Sequence, residues 1–403
     1  MLEQTVNLEA VRRTNRIAVG SLFFLHGLCF SSWGSRIPSI QQRLALSEAE
    51  LGAVLFSLPV GLMLSLPLTG LLVTKLGSRK VVIFAVAMYS GGLFLIGLAS
   101  TTFLLVFILF FFGLFSNMVN ISVNTQAIGV EYLYKRSIMA SFHGIWSLAG
   151  FIGAALGTVM IGAAIVPYQH FIFVMVVVLL ALLISAPFLL MQDANNNVGQ
   201  PIFAMPDKSL ITLGIIAFCS MMCEGAMFDW SGVYFKKVVL AEGAWVGAGY
   251  TAFMSTMAGG RFVADYFTTR YGTIMILQVS GILTASGLVI AVIFPHMYTA
   301  IIGFLLVGAG VSSVVPMVYS AAGKSKKLSP GVGLSAVSTI GFLGFLIGPP
   351  LIGIVAGATS LRISFFIIAV MGFLITVVAS SPKAWFKNLM KPLFILFGCN
   401  KEY

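Results

Sequence analysis

Two carboxylates stand in a long apolar stretch of the chain and are its clearest chemical signal. Glu224 and Asp229 lie within residues 210–235, where nearly all other side chains are apolar or small. An ionisable group in hydrocarbon is costly unless it faces water or a partner, so each acid marks a place that needs a polar group. Either could carry a proton. The alternative is a structural hydrogen bond, and at 100° per residue the two acids are about 140° apart and do not share one face.

A second group of polar and aromatic side chains recurs at helical spacing. Indole rings stack on the apolar faces of ring-shaped solutes, while imidazole, guanidinium and amide groups bind hydroxyls or carboxylates. We therefore expect a cavity for a sugar or another polar organic solute. The alternatives are interface anchoring for Trp33 and Arg36 and contacts between helices for the amides. The candidate binding residues are His26, Phe30, Trp33, Arg36, Asn117, Asn120, Asn124, His143, Trp146 and Tyr319.

The composition determines the environment in which these side chains work. Of 403 residues, 59% are apolar and only 9% are charged, whereas soluble domains have about 25% charged residues. So few charges cannot cover a water-soluble surface, which excludes soluble enzymes, nucleic-acid binders and disordered chains. Four histidines and four cysteines are scattered without the spacing of a metal site, so we expect neither catalysis nor a metal or cofactor.

Apolar segments of about 20 residues fit helices that cross a bilayer. Twelve such segments are predicted, at 17–36, 51–74, 81–100, 103–127, 138–164, 170–191, 210–235, 245–264, 273–294, 299–322, 331–356 and 362–381. An even number places both termini on one side. If that side is the cytoplasm, most of the 23 Lys and Arg residues lie inside, as the positive-inside rule requires. We expect a multi-pass plasma-membrane protein, or an inner-membrane protein in a Gram-negative bacterium, with cytoplasmic termini.

The two halves of the chain resemble each other. The stretch His26–Gly34 aligns with Glu224–Gly232, and Thr74–Gly77 aligns with Thr269–Gly272. Repeats of this size place a substrate site between the halves, near the middle of the membrane. The predicted all-α architecture has two pseudo-symmetric six-helix bundles, expected to work as a monomer. Its parts are the bundle of residues 1–191, a cytoplasmic linker at 192–209, the bundle of residues 210–381 and a cytoplasmic tail at 382–403.

The segments that follow spans two and eight resemble a loop motif of the major facilitator superfamily. The first reads Gly70-Leu-Leu-Val-Thr-Lys-Leu-Gly-Ser-Arg-Lys80, with Thr74 where the family has Asp, and the second runs from Gly260 to Gly272. The resemblance implies the major facilitator fold and an inner gate that depends more on the second half. It implies gating roles for Lys75, Arg79, Arg261, Asp265 and Arg270.

Three further segments are similar to the YbjJ-like group of bacterial transporters within that superfamily. They are Asn124–Ala127, Phe142–Ser147 and Gly341–Pro350. The resemblance implies secondary transport by alternating access of a small polar or amphipathic organic solute. We expect coupling to a proton, or to sodium instead, through Glu224 or Asp229. Two alternatives remain open, a ligand sensor or scaffold without net transport and an exporter that works by proton antiport.

Overall fold

The computed structural model describes residues 2–134, 138–193, 208–323 and 330–380. Residues 194–207 of the predicted linker and the predicted tail lie outside the described residues. Thirteen α-helices occur in the described ranges: α1 (Leu2–Arg43), α2 (Glu48–Leu76), α3 (Ser78–Leu98), α4 (Thr102–Tyr134), α5 (Met139–Gly162), α6 (Pro167–Ser185), α7 (Lys208–Lys237), α8 (Ala248–Tyr271), α9 (Thr273–Ile293), α10 (Met297–Val311), α11 (Val314–Gly323), α12 (Pro330–Ala358) and α13 (Leu361–Ser380). Two short 3-10 helices, Ala186–Phe188 and Gly243–Gly247, complete the described secondary structure.

These helices make the twelve membrane crossings that the sequence predicts. Eleven segments of the described chain are long and apolar enough to cross a membrane, and α10 and α11 together form one of them. The twelfth crossing is α8, which is less apolar because it contains Arg261, Asp265 and Arg270. The prediction of an all-α fold with two six-span bundles is confirmed.

The predicted tenth span is broken in its middle. Turn geometry at Ser312 and Ser313 separates α10 from α11. Pro316 follows four residues after Ser312, and because proline has no N–H it cannot donate the helical hydrogen bond to the Ser312 carbonyl. The break therefore lies where the sequence removes a backbone donor.

The internal repeat is visible in the backbone of the two halves. Gly77 between α2 and α3 has φ 83°, and Gly272 between α8 and α9 has φ 82°. Each amide closes the preceding helix, with Gly77 N–H donating to Val73 O and Gly272 N–H to Thr268 O, both at 2.9 Å. Left-handed backbone favours glycine. The same tight turn thus occurs at matching points of the two halves.

Helix packing follows the same repeat. In the first half α1 packs on α5, α2 on α4 and α3 on α6. In the second half α7 packs on α12, α8 on α10 and α9 on α13, which are the corresponding pairs. The halves meet through α1 with α7, α2 with α12, and α5 with α8.

Several close contacts between the halves lie where α1 ends and α2 begins. The Lys237 ammonium of α7 is 2.6 Å from a Glu48 carboxylate oxygen of α2. The hydroxyls of Thr158 in α5 and Thr251 in α8 are 2.9 Å apart. The α2 and α12 backbones touch at two glycines, because a Cβ at Gly353 would lie 2.7 Å from the Gly52 Cα. The halves are therefore closed together at this end of the molecule.

Candidate functional site

A cavity of about 520 Å³ lies between the two halves. Both halves line it, with α1, α2, α4 and α5 on one side and α7, α8, α11 and α12 on the other. Small-molecule sites in proteins range from about 300 to 1,000 Å³. Ten of the residues singled out in the sequence border the cavity, namely His26, Phe30, Asn117, Asn120, His143, Trp146, Glu224, Asp229, Arg261 and Tyr319.

Arg261 connects the two halves inside this cavity. From α8 its Nη2 lies 3.2 Å from Oε1 of Glu224 on α7. Its Nη1 donates to the Ser147 hydroxyl of α5 at 2.6 Å, and the guanidinium lies 5.7 Å from the ring centre of Trp146. One side chain therefore pairs with an acid of its own half and bonds to the opposite half.

His26 is held by a defined set of partners in the first half. Its Nδ1 accepts a hydrogen bond from Trp146 Nε1 at 3.2 Å, and its Nε2 lies 2.9 Å from the Ser116 hydroxyl. Because an indole nitrogen can only donate, Nδ1 carries no proton in this arrangement and the neutral ring carries its proton on Nε2. The neutral His26 ring therefore joins α1 to α5 as an acceptor and to α4 as a donor.

Both acids of α7 reach the cavity. Met221, Glu224, Phe228 and Asp229 together present an arc of about 140° to it, so the two acids are accessible although they do not share one face. Asp229 is partly exposed. No hydrogen bond or ion pair to Asp229 is found among the described residues.

The amides of α4 divide into cavity-bordering and supporting groups. Asn117 borders the cavity but donates from Nδ2 to Leu62 O at 3.0 Å and to the Ser65 hydroxyl at 3.1 Å, which ties α4 to α2. Asn124 does not border the cavity, and its Nδ2 donates to the backbone and side-chain oxygens of Asn120 at 2.7 and 3.1 Å. Asn117 and Asn120 therefore both border the cavity. The Asn117 amide nitrogen is bonded to α2, whereas Asn120 accepts hydrogen bonds from Asn124.

Two residues of the predicted stripe in α1 lie away from the cavity. Trp33 is 1% exposed and is packed in the core. Arg36 is 2% exposed, and it donates to His170 Nδ1 at 3.1 Å and to Ile165 O at 2.8 Å. The expected stripe therefore reaches the cavity only with His26 and Phe30, and Arg36 is neither a cavity residue nor an interface anchor.

The residues expected to form an inner gate are not gathered in one place. Arg79 contacts Ala186 O at 3.1 Å and the Met191 sulfur, both in its own half. Lys75 is exposed, and Arg270 donates to Tyr266 OH at 2.8 Å within α8. The side chain of Asp265 lies outside the described part of the chain.

Arg261 is the exception among these residues. Sequence reasoning placed it in the cytoplasmic motif, but it precedes Gly272 by eleven residues, about 16 Å along a helix. The structure places Arg261 at the cavity, and its gating role stays a prediction. Sequence reasoning did not single out Phe228, Phe345 or Ser116, which also border the cavity. Their only signal was helical spacing from Glu224, Gly341 and Asn120.

The family model for the major facilitator superfamily matches residues 19–329. The chain belongs to the major facilitator superfamily. An uncharacterised transporter of this superfamily from Yersinia pestis is 32% identical over 91% of this chain and 95% of its own length. The membrane protein MosC of Rhizobium meliloti is 31% identical over 88% of this chain and 86% of its own length. This chain is thus a multi-pass membrane transporter.

Solved structures of the superfamily share its fold. The nucleoside transporter NupG aligns with a TM-score of 0.71 at 16% identity, covering 91% of this chain and 99% of NupG. A bacterial homologue of the human lysosomal transporter Spinster, in an inward-facing and unoccupied conformation, aligns with a TM-score of 0.70 at 14% identity, covering 92% and 96%. At such identities the likeness concerns the fold alone.

Proposed function

We propose that this member of the superfamily is a secondary transporter that moves a small polar or amphipathic organic solute by alternating access, coupled to protons. The observation that carries the proposal is the Glu224–Arg261–Ser147 connection, which joins the two halves across the cavity. We further propose that it belongs to the YbjJ-like group, works as a monomer in the plasma or inner membrane, and has cytoplasmic termini. Its units are the two bundles and the linker expected from the sequence.

Protonation of Glu224 gives a physical route from ion binding to movement. A charged carboxylate attracts the Arg261 guanidinium, and a protonated one loses that attraction. Arg261 then becomes free to change its bond with Ser147 of the opposite half. The other titratable groups that border the cavity are His26, His143, Asp229 and Tyr319, and any of them could share the proton. Sodium is the alternative ion.

The lining also suits a polar ring-shaped solute. Phe30 and Phe228 from opposite halves lie 5.1 Å apart between ring centres, at 83°, and Trp146 borders the same space. Asn120 and His143 supply hydrogen-bonding groups beside these rings. Such a combination of stacking surface and polar groups binds hydroxylated or nitrogen-containing rings.

The coupling role of Glu224 is tested with Glu224→Gln in proteoliposomes. A panel of sugars, nucleosides, amino acids and amines is first screened by thermal shift, because a ligand raises the apparent stability. A radiolabelled hit is then followed in two assays, accumulation driven by a proton gradient and counterflow without a gradient. We expect Glu224→Gln to lose accumulation at least tenfold while keeping counterflow, because exchange needs no net proton movement.

The matched control is Glu242→Gln, which makes the same change at an exposed position outside the cavity and should behave as the wild type. Accumulation by Glu224→Gln with wild-type pH dependence would refute its coupling role. Wild-type protein that binds the hit without counterflow would indicate a sensor or scaffold instead. Accumulation that follows a sodium gradient, or efflux driven by an opposing proton gradient, would identify the other two alternatives.

A further inference from the structure

The charges that border the central cavity do not balance. Glu224 is paired with Arg261, and the hydrogen bonds of His26 require a neutral ring. Asp229 borders the same space, and within the described ranges it has neither a hydrogen-bond partner nor an ion partner. Among the described residues, the cavity therefore contains one carboxylate, that of Asp229, that is not paired with a cation.

We propose, building on the transport function above, that the transported solute carries a protonated amine that binds Asp229. A carboxylate removed from bulk water is costly unless a cation accompanies it. Phe30 and Phe228 border the same cavity, and the faces of aromatic rings attract cations. Asn120 and His143 lie on the opposite wall and can bind hydroxyls. The favoured solute class is a small hydroxylated amine.

A neutral or anionic solute would leave the Asp229 charge without compensation. It would have to bind while Asp229 is protonated, or compete with Glu224 for Arg261 and break an ion pair. An amine requires neither change, because its charge matches the free carboxylate and leaves the Glu224–Arg261 pair available for coupling. The two acids of α7 thereby take separate roles, Asp229 for the solute and Glu224 for the proton.

The test uses matched pairs of solutes with purified full-length protein. Glucosamine, glucose and N-acetylglucosamine form one set, and serinol with glycerol forms another; thermal shift and direct binding are measured for each. We expect the amine of each set to bind at least tenfold more tightly than its neutral counterparts. Asp229→Asn should lose that preference, Asp229→Glu should keep part of it, and Glu242→Gln, at an exposed position outside the cavity, should still bind the amine.

Equal binding of the neutral counterparts, no binding of any amine, or undiminished amine binding by Asp229→Asn would each overturn the proposal. Amine binding that depends on Asp229 but is not followed by counterflow would leave the cation site standing and reject transport. Counterflow of a neutral solute that is unaffected by Asp229→Asn would support transport and reject the cation site. The failure of the solute class and the failure of the transport proposal are therefore distinguishable.

A separate cleft lies on the first half, between the beginning of α1 and helices α4, α5 and α6. Its volume is about 1,230 Å³, larger than that of the central cavity. Arg12, Arg13 and Arg16 border one part of it, and apolar side chains such as Ile17, Phe24 and Val177 border the rest. Ile17 and Val177 are exposed, at 60% and 37%, so the apolar part is open at the protein surface.

The arginines of this cleft have no ion-pair partner among the described residues, although Glu9 also borders the cleft. Arg16 donates to the Ser141 hydroxyl at 3.2 Å and lies over the Tyr134 ring at 5.5 Å. The Nε of Arg12 is buried and has no hydrogen-bond partner in the part of the chain that the structure describes.

From this independent observation we infer that the cleft binds an anionic phospholipid. Guanidinium groups bind phosphate through paired donors, and basic pockets between membrane helices suit anionic headgroups. The apolar floor formed by Ile17, Phe24 and Val177 matches an acyl chain, which a free phosphate ion would not use. Charge and shape together favour a lipid over a soluble anion.

The test compares the full-length protein in nanodiscs of phosphatidylcholine alone and with phosphatidylglycerol added. We expect phosphatidylglycerol to raise the midpoint of thermal unfolding by several degrees, and native mass spectrometry to show retained lipid. The triple variant Arg12→Gln, Arg13→Gln, Arg16→Gln should lose both effects. The control Lys75→Gln, Lys80→Gln, Arg270→Gln removes the same charge at exposed positions and should keep them.

Retention of the phosphatidylglycerol effect by the triple arginine variant would overturn the inference. Equal unfolding midpoints of the wild type in nanodiscs with and without phosphatidylglycerol would overturn it too. Stabilisation by inorganic phosphate in detergent equal to that by the lipid would assign the site to a soluble anion.

Discussion

Arg36 illustrates how a charged residue in a membrane helix can serve structure and not transport. It is buried in the first half, and its donors go to His170 on α6 and to the Ile165 carbonyl just before that helix. These bonds hold α1 to α6. Removing one partner of a buried hydrogen bond leaves the other without a partner, which costs about 1–3 kcal/mol.

We predict that Arg36→Met lowers the free energy of unfolding by about 1–3 kcal/mol and leaves solute affinity unchanged in the folded protein. The thermal unfolding midpoint and the binding constant of the screened ligand are measured in the same detergent. The control is Arg362→Met, because Arg362 bonds to the Val292 carbonyl from an exposed position. A stable Arg36→Met protein that has lost binding would instead assign Arg36 to the site.

Helical spacing in the sequence singled out some residues that border the cavity and others that lie away from it. His26, Phe30, Asn120 and Glu224 border the cavity, and their binding and coupling roles stay predictions. A polar group inside a span must face either a partner or water. Spacing gives the side of a helix but not which helix lies opposite that side. Arg36 was therefore misplaced, since its partner His170 lies 134 residues away.

The close contact between α2 and α12 helps to hold the two halves together at the Glu48 end. A Cβ at Gly52 would lie 2.9 Å from the Gly353 Cα and 2.9 Å from the Pro349 carbonyl oxygen. Real Cβ atoms do not approach backbone so closely, so the helices would have to separate. Overpacking of this kind costs about 1–3 kcal/mol, and each 1.4 kcal/mol changes an equilibrium about tenfold.

We predict that Gly52→Ala shifts the protein about tenfold toward a state open at the Glu48 end. The reporter is Leu55→Cys, which faces the cavity below the contact, and its labelling rate by an impermeant maleimide should rise. Gly70→Ala on the same helix is the control, because nothing lies within 4 Å of a Cβ there. An unchanged labelling rate in Gly52→Ala, with intact folding, would show that this contact does not hold that end closed.

Helix boundaries were less predictable than the number of crossings. The apolar segments gave the crossings, since each must span about 30 Å of hydrocarbon. The extension of α1 to Arg43 and of α8 to Tyr271 lies in polar sequence, where hydropathy carries no signal. The break in span ten was detectable in principle, because Pro316 removes the donor for the Ser312 carbonyl.

At the scale of the whole molecule, two similar halves carry different chemistry. His26 and Glu224 occupy matched positions of the repeat and both border the cavity. In the first half His26 bonds to neutral partners, Ser116 and Trp146. In the second half Glu224 forms an ion pair with Arg261. The backbone repeat was predictable from sequence, but this difference depends on pairings between helices distant in the chain.

The orientation of the molecule in the membrane is the remaining prediction. α7 begins at Lys208 and α1 at Leu2, so both helices begin at the end of the bundles opposite the Glu48–Lys237 contact. The basic residues concentrate toward that end, and the positive-inside rule places it in the cytoplasm. Asn196→Cys should then react with an impermeant maleimide only after the cells are opened, and Glu242→Cys should react in intact cells.

The described native cysteines Cys29, Cys219 and Cys223 are buried, and Cys399 is replaced by Ser in both variants to remove its background. Labelling of Asn196→Cys in intact cells would invert the orientation, and the Glu48–Lys237 end would then close the cavity from the cytoplasm instead of from outside.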